Sequence, residues 1–170
     1  MTKSQLKQYL NNNPDTDSKE LLDYLTTPER VECSGGYVTY TLNGKYHRTD
    51  GPAIEYLNGD KEWWVNGKRH RTDGPAREWQ NGIKAWFKRG KLHRENGPAV
   101  EYLTGDKYWY LNGKRHRIDG PAVEYSNGTK IWIRYGKRHR EDGPAIEYSN
   151  GDKHWYINGN LVDSNFRPLK

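Results

Sequence analysis

The chain repeats itself every 23 residues over most of its length, and this period constrains the fold more than any other feature. His-Arg and Gly-Pro-Ala each recur five times at that interval, at 47–48, 70–71, 93–94, 116–117 and 139–140 and at 51–53, 74–76, 97–99, 120–122 and 143–145. Glu, Lys, Trp and an aromatic residue fill further columns, a column being a set of positions 23 residues apart. A fixed period in this range indicates a repeat array, in which each unit packs mainly on its neighbours.

The composition agrees with a thin array. Only 32% of the 170 residues are hydrophobic, and the apolar residues include seven Trp and thirteen Tyr, which suit sheet faces better than a helical interior. Cys33 is the only cysteine, so an intrachain disulfide is excluded. The N-terminal segment lacks the apolar core of a signal peptide, and no run approaches the roughly 18 apolar residues of a membrane span. We therefore expect a cytoplasmic protein.

Three segments differ along the chain. Residues 1–30 predict a cap of two short helices, one lined by Leu6 and Leu10 and one that starts near Asp17 and ends at Pro28. Residues 31–163 form the array, with a partial copy, five full copies and a second partial copy. Residues 164–170 are a C-terminal tail.

Each repeat contains two Asn-Gly pairs that follow β-prone runs, as in "AIEYLNGDKEWWVNGK" at 53–68. Asn-Gly is the strongest short hairpin signal, because type I′ turns need a positive φ at both central residues. The fold class predicted is mostly β: an elongated, twisted antiparallel sheet of repeated hairpins with a short helical cap. If both turns have two residues, Ile54 pairs with Trp63 and Tyr56 with Lys61, and those four side chains share one face.

The odd period demands one irregularity per repeat. A two-residue hairpin exchanges odd and even positions between the faces of the sheet, so a repeat without a bulge needs an even period to keep each column on one face. Asp-Gly-Pro is the expected place for the irregularity, because Gly relaxes φ and Pro cannot donate to a ladder. We therefore predict a bulge or a corner there.

The run "KEWWVNGKRHRTDGPAREWQNG" at 61–82 resembles the MORN repeat, in which Tyr or Trp, Asn-Gly-Lys, a His motif and a closing Asp-Gly or Asn-Gly also span about 23 residues. This chain has His-Arg-x-Asp-Gly-Pro-Ala where that family has His-Gly-x-Gly. The variant resembles repeats of phage, large-virus and bacterial proteins. The resemblance implies an elongated sheet of hairpins without catalytic activity, with roles from protein scaffolding to phospholipid contact. It also implies an antitoxin-like inhibitor, located in the host cell cytoplasm if it is phage-encoded.

The His column offers either a metal or acid–base ladder or a structural device. Successive copies lie two strands apart, about 9.5 Å, whereas zinc holds its nitrogen ligands at about 2 Å. Neighbouring histidines therefore cannot share one ion, and we expect each to stack on the cross-strand Trp. Arg-x-Asp in the same motif predicts a local ion pair that stabilises the bend. We expect no catalytic residue, no metal and no cofactor.

Charge is the property that varies most between copies. Residues 67–89 and 113–135 carry net charges of +5 and +3, which together exceed the +6 of the whole chain, and Arg77 and Lys88 occupy columns that are usually apolar. A basic patch among aromatic residues attracts phosphate or an acidic protein surface, although a solvated face is the alternative. The candidate partner- or anion-binding residues are Arg77, Lys88, Arg89, Arg134, Arg69 and Arg115.

A second varying column predicts an exposed aromatic stripe on the face opposite the Trp column. A single-layer sheet cannot bury both of its faces, so a partner is expected to cover this stripe. Its residues are Trp64, Phe87, Tyr110 and Tyr156, with Ile133 in the remaining copy.

Two functions remain open at this point. One is a non-catalytic protein-binding module, such as a phage-encoded or antitoxin-like inhibitor or adaptor that docks a host or toxin protein. The other is a binder of an anionic ligand, either nucleic acid, a nucleotide or phospholipid headgroups, through the basic repeats. The sequence does not determine the oligomeric state.

Overall fold

A computed structural model describes residues 3–12 and 25–168. The fold is mostly β: within these ranges the helix α1 (Lys3–Asn12) precedes 22 short strands, all of them paired antiparallel. The strands are β1 (Glu29–Cys33), β2 (Tyr37–Leu42), β3 (Lys45–Tyr46), β4 (Ile54–Tyr56), β5 (Lys61–Glu62), β6 (Trp64–Val65), β7 (Lys68–Arg69), β8 (Arg77–Glu78), β9 (Lys84–Ala85), β10 (Phe87–Lys88), β11 (Lys91–Leu92), β12 (Val100–Glu101), β13 (Lys107–Tyr108), β14 (Tyr110–Leu111), β15 (Lys114–Arg115), β16 (Val123–Glu124), β17 (Lys130–Ile131), β18 (Ile133–Arg134), β19 (Lys137–Arg138), β20 (Ile146–Glu147), β21 (Lys153–Ile157) and β22 (Asn160–Val162).

One long sheet runs through the whole array. Its strand order is β1-β2-β4-β5-β8-β9-β12-β13-β16-β17-β20-β21-β22, and β3 pairs with β2 beside this path. Each repeat thus adds two strands to the sheet, and neighbouring repeats are joined by the pairing of β5 with β8 and its equivalents.

A second row of hairpins runs beside the long sheet. It contains β6–β7, β10–β11, β14–β15 and β18–β19, with equivalent turns at both ends of the array. We call these the turn-edge hairpins: residues 41–46, 64–69, 87–92, 110–115, 133–138 and 156–161. The turn glycine of every hairpin after the first donates its backbone N–H to the preceding hairpin, as from Gly67 to Tyr46 O at 2.9 Å and from Gly90 to Arg69 O at 2.8 Å. Backbone hydrogen bonds therefore join the row from one repeat to the next.

The two Asn-Gly pairs of a repeat form different turns. Asn66 and Gly67 both have a positive φ, at 50° and 73°, as a type I′ turn requires. At the other pair only Gly59 does, with φ of 90°, and its N–H bonds to Tyr56 O at 2.9 Å. Tyr56 N then bonds to Asp60 O at 3.0 Å, which makes this a longer loop with a glycine bulge. The side chain of Asn58 accepts the N–H of Asp60 and so favours the longer loop.

The longer loop changes the register that we predicted. Ile54 pairs with Glu62 and Glu55 with Lys61, so the expected pairs Ile54–Trp63 and Tyr56–Lys61 are wrong. The bulge is the one odd step in each repeat and accounts for the odd period. The chain does bend sharply at Asp-Gly-Pro, but the bend does not change which face of the sheet a column lies on. Trp63 pairs with residues on both sides of the corner, because its O accepts the N–H of His70 and its N–H donates to Ala76 O. The predicted corner is therefore present, but its predicted role as the odd step is wrong, because the loop and not the corner supplies the extra residue.

The corrected register also changes the faces of the long sheet. Ile54, Glu62 and Arg77 lie in one line across neighbouring strands and share a face. The opposite face carries a ladder in which glutamate and lysine alternate across the strands, as in Glu55, Lys61 and Glu78. This ladder continues through the later repeats.

The core is thin. The Ala of each Gly-Pro-Ala is fully buried, and within the described residues the hydrophobic cluster contains only Ala122, Val123 and Ile133, with four partly buried neighbours. Burial of so few apolar side chains contributes little compared with an ordinary domain. The polar interactions of the repeats therefore carry an unusual share of the stability.

Both ends of the array are covered to some extent. Leu6 of α1 is buried, and Lys7 Nζ donates to Asn43 Oδ1 at 2.8 Å in the first type I′ turn. The second predicted helix lies mostly outside the described residues. At the other end the chain folds back after β22, and Val162 bridges to Pro168. No helix of the described ranges is long and apolar enough to cross a membrane.

Candidate functional site

Each His-Arg-x-Asp-Gly-Pro segment forms a corner around its arginine. In the corner at 70–75, the guanidinium of Arg71 stacks on the ring of Trp63 at 4.1 Å. Arg71 Nε donates to Asp73 Oδ1 at 2.9 Å, and Nη1 donates to Pro75 O at 3.3 Å and to Glu78 Oε1 at 3.1 Å. One arginine thus joins a strand, the corner and the following strand, and the predicted Arg-x-Asp pair is confirmed.

The same geometry recurs in every full copy. In the other four corners the guanidinium group stacks on an aromatic ring at 3.9 to 4.3 Å: Arg48 on Tyr40, Arg94 on Trp86, Arg117 on Trp109 and Arg140 on Trp132. Each of these arginines also binds the glutamate seven residues later, at 2.7 to 3.0 Å. One corner lacks the aspartate and has Asn96 in its place. Arg94 in that corner still stacks on its tryptophan and still donates to the proline carbonyl and to Glu101. The corner therefore withstands the loss of one of its contacts.

The corner glycine leaves room for the guanidinium. A Cβ atom built on Gly74 would lie 2.8 Å from Arg71 Cζ, and equivalent distances of 2.8 to 3.1 Å occur in the other corners. The contact explains why glycine precedes proline here, since even an alanine would push the arginine away from Trp63.

The histidines bind the next repeat and do not stack on tryptophan. His93 Nδ1 accepts the backbone N–H of Asn112 at 3.1 Å, and His47, His70, His116 and His139 accept from the equivalent turn residue at 3.1 to 3.3 Å. The predicted His–Trp stack is wrong, because the adjacent arginine occupies the ring of the tryptophan. A histidine whose Nδ1 accepts a hydrogen bond carries its proton on Nε2 when neutral.

The corner contacts shift several pKa values. The hydrogen bonds from arginine lower the pKa of Asp50, Asp73 and Asp142. Burial and the nearby Arg134 lower the pKa of His116, because both disfavour the charged imidazolium. Within the described residues, no three His, Cys, Asp or Glu side chains come close enough to hold a metal ion.

Three similar grooves separate neighbouring corners on the outside of the array. Their volumes are 590, 550 and 580 Å³, and we call them the first, second and third corner groove. The first lies between corners 70–75 and 93–96, the second between 94–97 and 116–119, and the third between 117–121 and 139–142. The three grooves are similar in size, so the side chains that line them are what distinguishes one from another. These side chains differ in two columns, which lie seven residues apart in the sequence.

The pair of residues that these columns contribute is ionic in the first and third grooves and apolar in the second. Neighbouring grooves share a corner, so Glu95 also lines the second groove and Ile118 also lines the third. Lys88 Nζ lies 3.3 Å from Glu95 Oε1 in the first groove, and Arg134 Nη1 lies 3.9 Å from Glu141 Oε1 in the third. The equivalent residues of the second groove are Leu111 and Ile118, and Ile118 is 70% exposed. The sequence analysis did not identify Leu111 and Ile118. Comparison of the two columns as pairs would have found them, because charge and hydrophobicity change together.

The predicted basic residues do not form one patch. Arg69 and Arg77 bind the same buried carboxylate: Arg69 Nε lies 3.0 Å from Glu62 Oε2 and Arg77 Nε lies 3.1 Å from Glu62 Oε1. The Arg77 contact is an ion pair without hydrogen-bond geometry, and Arg77 also stacks on Trp79 at 4.1 Å. Glu62 is only 2% exposed and also accepts from Trp64 Nε1 at 2.8 Å. These two charges are thus used inside the chain.

The other four basic residues divide into two pairs. Lys88 and Arg134 line the corner grooves beside their glutamates, as described above. Arg89 and Arg115 are exposed on the turn-edge hairpins, and neither binds a carboxylate of the described residues.

The residues of the predicted aromatic stripe are partly shielded from solvent. Trp64, Phe87, Tyr110 and Tyr156 are all partly buried, and Ile133 is buried. An arginine of the same or the adjacent turn-edge hairpin lies over each ring: Arg69 is 4.7 Å from Trp64 and 5.6 Å from Phe87. Arg115 and Arg138 lie over Tyr110 and Tyr156 at 5.9 and 5.1 Å. The rings of the stripe therefore remain partly exposed, and the arginine side chains that lie along the sheet shield the rest of them.

The sequence matches no protein-family model, and a search of curated proteins found no similar sequence.

Proposed function

We propose that the protein is a non-catalytic repeat module that binds another protein through the corner grooves, with Leu111 and Ile118 at the centre of the interface. The observation that carries this proposal is the change of one pair of columns from ionic to apolar in the second groove. The structural columns of the array stay the same from copy to copy. A surface position that departs from its neighbours is a better candidate for recognition than one that is repeated.

The chemistry of the second groove suits an interface centre. Leu111, Ile118 and Trp109 line it together, and Ile118 exposes most of its side chain to solvent. Interface affinity is concentrated in a few central residues that a partner desolvates, surrounded by contacts that exclude water. The groove provides such a centre.

The flanking ion pairs suit the rim of that interface. Lys88 and Glu95 are 54% and 66% exposed, and Arg134 and Glu141 are 40% and 69% exposed. Exposed ion pairs contribute little affinity, but they steer and orient a partner with complementary charge. We therefore propose a protein partner that presents an apolar side chain between charged ones.

The reuse of the corner residues supports a binding role over a catalytic one. His116 and Arg117 of the second groove make the same contacts as their counterparts in the other corners, and these contacts use the atoms that chemistry would need. The corners also hold the grooves in a preorganised shape, which lowers the entropic cost of association. A module of this kind would act as an adaptor or an inhibitor, as the resemblance to MORN-type phage and antitoxin-like proteins implies.

A capture experiment with three baits tests the proposal. Wild type, Ile118→Asp and Leu103→Asp are immobilised and exposed to an extract of the native host, with and without nuclease. Leu103 is the matched control, because it is 79% exposed and lies on the long-sheet loops away from the corner grooves. The captured protein is then purified and its affinity for each variant is measured by calorimetry.

We expect Ile118→Asp to weaken binding about 30-fold or more, as for a central interface residue, and Leu103→Asp to bind like wild type. Equal binding by all three baits would place the interface elsewhere. Loss of capture after nuclease treatment would show that nucleic acid mediates the contact and would overturn the proposal.

A further inference from the structure

The turn-edge hairpins carry cations and no acidic residue. Their six segments contain no Asp or Glu, and eleven Lys and Arg: Lys45, Lys68, Arg69, Lys88, Arg89, Lys91, Lys114, Arg115, Arg134, Lys137 and Arg138. Within the described residues, only Arg69, Lys88 and Arg134 of this set bind a carboxylate. The other eight are exposed and exceed the net charge of +6, so the remainder of the chain is slightly acidic. Basic and acidic residues are interleaved along the sequence, whereas the fold collects these exposed basic residues on the turn-edge hairpins, away from the acidic ones.

Five of the eight cations form a row along the turn-edge hairpins. Lys45, Lys68, Lys91, Lys114 and Lys137 each follow a type I′ turn, and adjacent turns are joined by backbone hydrogen bonds of 2.8 to 2.9 Å. Four of these side chains pack their stems over the turn glycine of the next repeat, as Lys45 does over Gly67, so they lean in a common direction. With two strands per repeat at about 4.8 Å each, the row spans about 40 Å.

An aromatic ring stands in the same row. Tyr135 occupies the first position of its turn, which is Asn in most copies, and 63% of it is exposed. One face of the ring stacks on His116, with the centroids 4.1 Å apart and the planes 23° apart. The ring is therefore held in place while it remains accessible to a flat partner.

We propose that the turn-edge hairpins bind single-stranded nucleic acid, with the row of lysines along its phosphates and Tyr135 stacked on one of its bases. A line of unpaired cations with an aromatic platform is the arrangement by which proteins hold single strands without reading their sequence. An anionic membrane is the less suitable partner. Apart from Tyr135, the first turn positions carry Asn or Arg, so the edge has no apolar row to enter a bilayer.

The proposal concerns a different surface from the corner grooves, and the chain provides a matched control for it. The test variant is Lys68→Gln/Lys91→Gln/Lys114→Gln. The control is Lys61→Gln/Lys84→Gln/Lys107→Gln, which has the same net charge and alters lysines that lie between glutamates on adjacent strands. Circular dichroism confirms that both variants fold, and Lys91→Glu against Lys107→Glu replaces the triple variants if one of them does not.

Binding to a fluorescein-labelled 20-nucleotide oligothymidine is measured by polarisation at 50 to 300 mM salt. We expect wild type and control to bind alike, and the test variant to bind at least tenfold more weakly at 100 mM salt. Its slope of log affinity against log salt should fall by about 2, at about 0.7 for each phosphate contact. Tyr135→Ala should weaken binding about fivefold or more without altering the slope, since it removes a base stack and no charge.

Three results would overturn the proposal. They are no binding by wild type, an equal loss in test variant and control, or binding to phosphatidylserine vesicles that depends on the lysine row while the oligonucleotide does not bind. Ile118→Asp should bind the oligonucleotide like wild type, so failure of this proposal and failure of the protein-binding proposal remain distinguishable.

Discussion

His93 Nδ1 accepts a hydrogen bond from the backbone N–H of Asn112, nineteen residues later and in the next repeat. His93 is 9% exposed, and Nε2 of the same ring lies 3.2 Å from Glu95 Oε1. One imidazole thus satisfies a turn of the following repeat with one nitrogen and contacts its own corner with the other. The bond recurs in all five full copies, so the histidines act as links along the array.

Removal of this link should destabilise the array. His93→Phe keeps the bulk of the ring but leaves the Asn112 N–H without its acceptor, which we expect to cost about 1–3 kcal/mol of unfolding free energy. His93→Asn should cost less, because its Oδ1 can take the place of Nδ1. Urea denaturation of the three proteins measures both effects. An equal loss in the two variants would mean that the ring contributes through packing and not through the hydrogen bond.

The lowered pKa of His116 should make stability depend on pH. The unfolded chain has an ordinary pKa of about 6.5, whereas folding lowers that of His116, so the unfolded state binds more protons as the pH falls below about 6.5. The stability that depends on neutral His116 is fully present above that pH, and it is lost as the pH falls through the lower pKa of the folded state. Thermal melts from pH 8 to pH 5 should show this decline, and His116→Asn should reduce it. The corner aspartates act separately, at or below about pH 4, because their pKa values are lowered from about 3.9.

The corner glycine should be coupled to the corner arginine. Gly74→Ala brings a Cβ atom to 2.8 Å from Arg71 Cζ, and we expect a loss of about 1–3 kcal/mol as the guanidinium leaves Trp63. In an Arg71→Ala background the same substitution should cost much less. A double-mutant cycle by denaturation gives the coupling energy. Additive costs in the cycle would show that alanine disturbs the backbone and not the arginine.

The buried ionic cluster around Glu62 should be replaceable by the apolar residues that stand at the equivalent positions of the next copy. Glu62→Ala leaves Arg69 and Arg77 without their carboxylate, and we expect a loss of about 2 kcal/mol, less than for a fully buried pair because both arginines are partly exposed. The equivalent residues one repeat later are Ala85, Leu92 and Val100. The triple variant Glu62→Ala/Arg69→Leu/Arg77→Val should therefore regain most of that stability. A triple variant no more stable than Glu62→Ala would mean that the two copies differ in shape as well as in side chains.

The sequence alone determined the repeat and its hairpins to a large extent. The 23-residue period, the Asn-Gly pairs and the Asp-Gly-Pro corners are local signals, because turn geometry depends on the φ preferences of two or three adjacent residues. The Arg-x-Asp pair was predictable for the same reason, since its partners are two residues apart. The parity of the period also showed that each repeat needs one irregular step.

Only the tertiary structure decided which residues meet across that step. The two Asn-Gly pairs of one repeat adopt different loops, and the extra residue of the loop at Asn58-Gly59 shifts the register by one. The shift brings Glu62 beside Arg77, and the corner brings arginine instead of histidine onto tryptophan. It also separates the unpaired lysines along one edge from the glutamates of the long sheet. Such contacts join residues 7 to 20 positions apart, and they depend on how successive strands stack, which no local preference specifies.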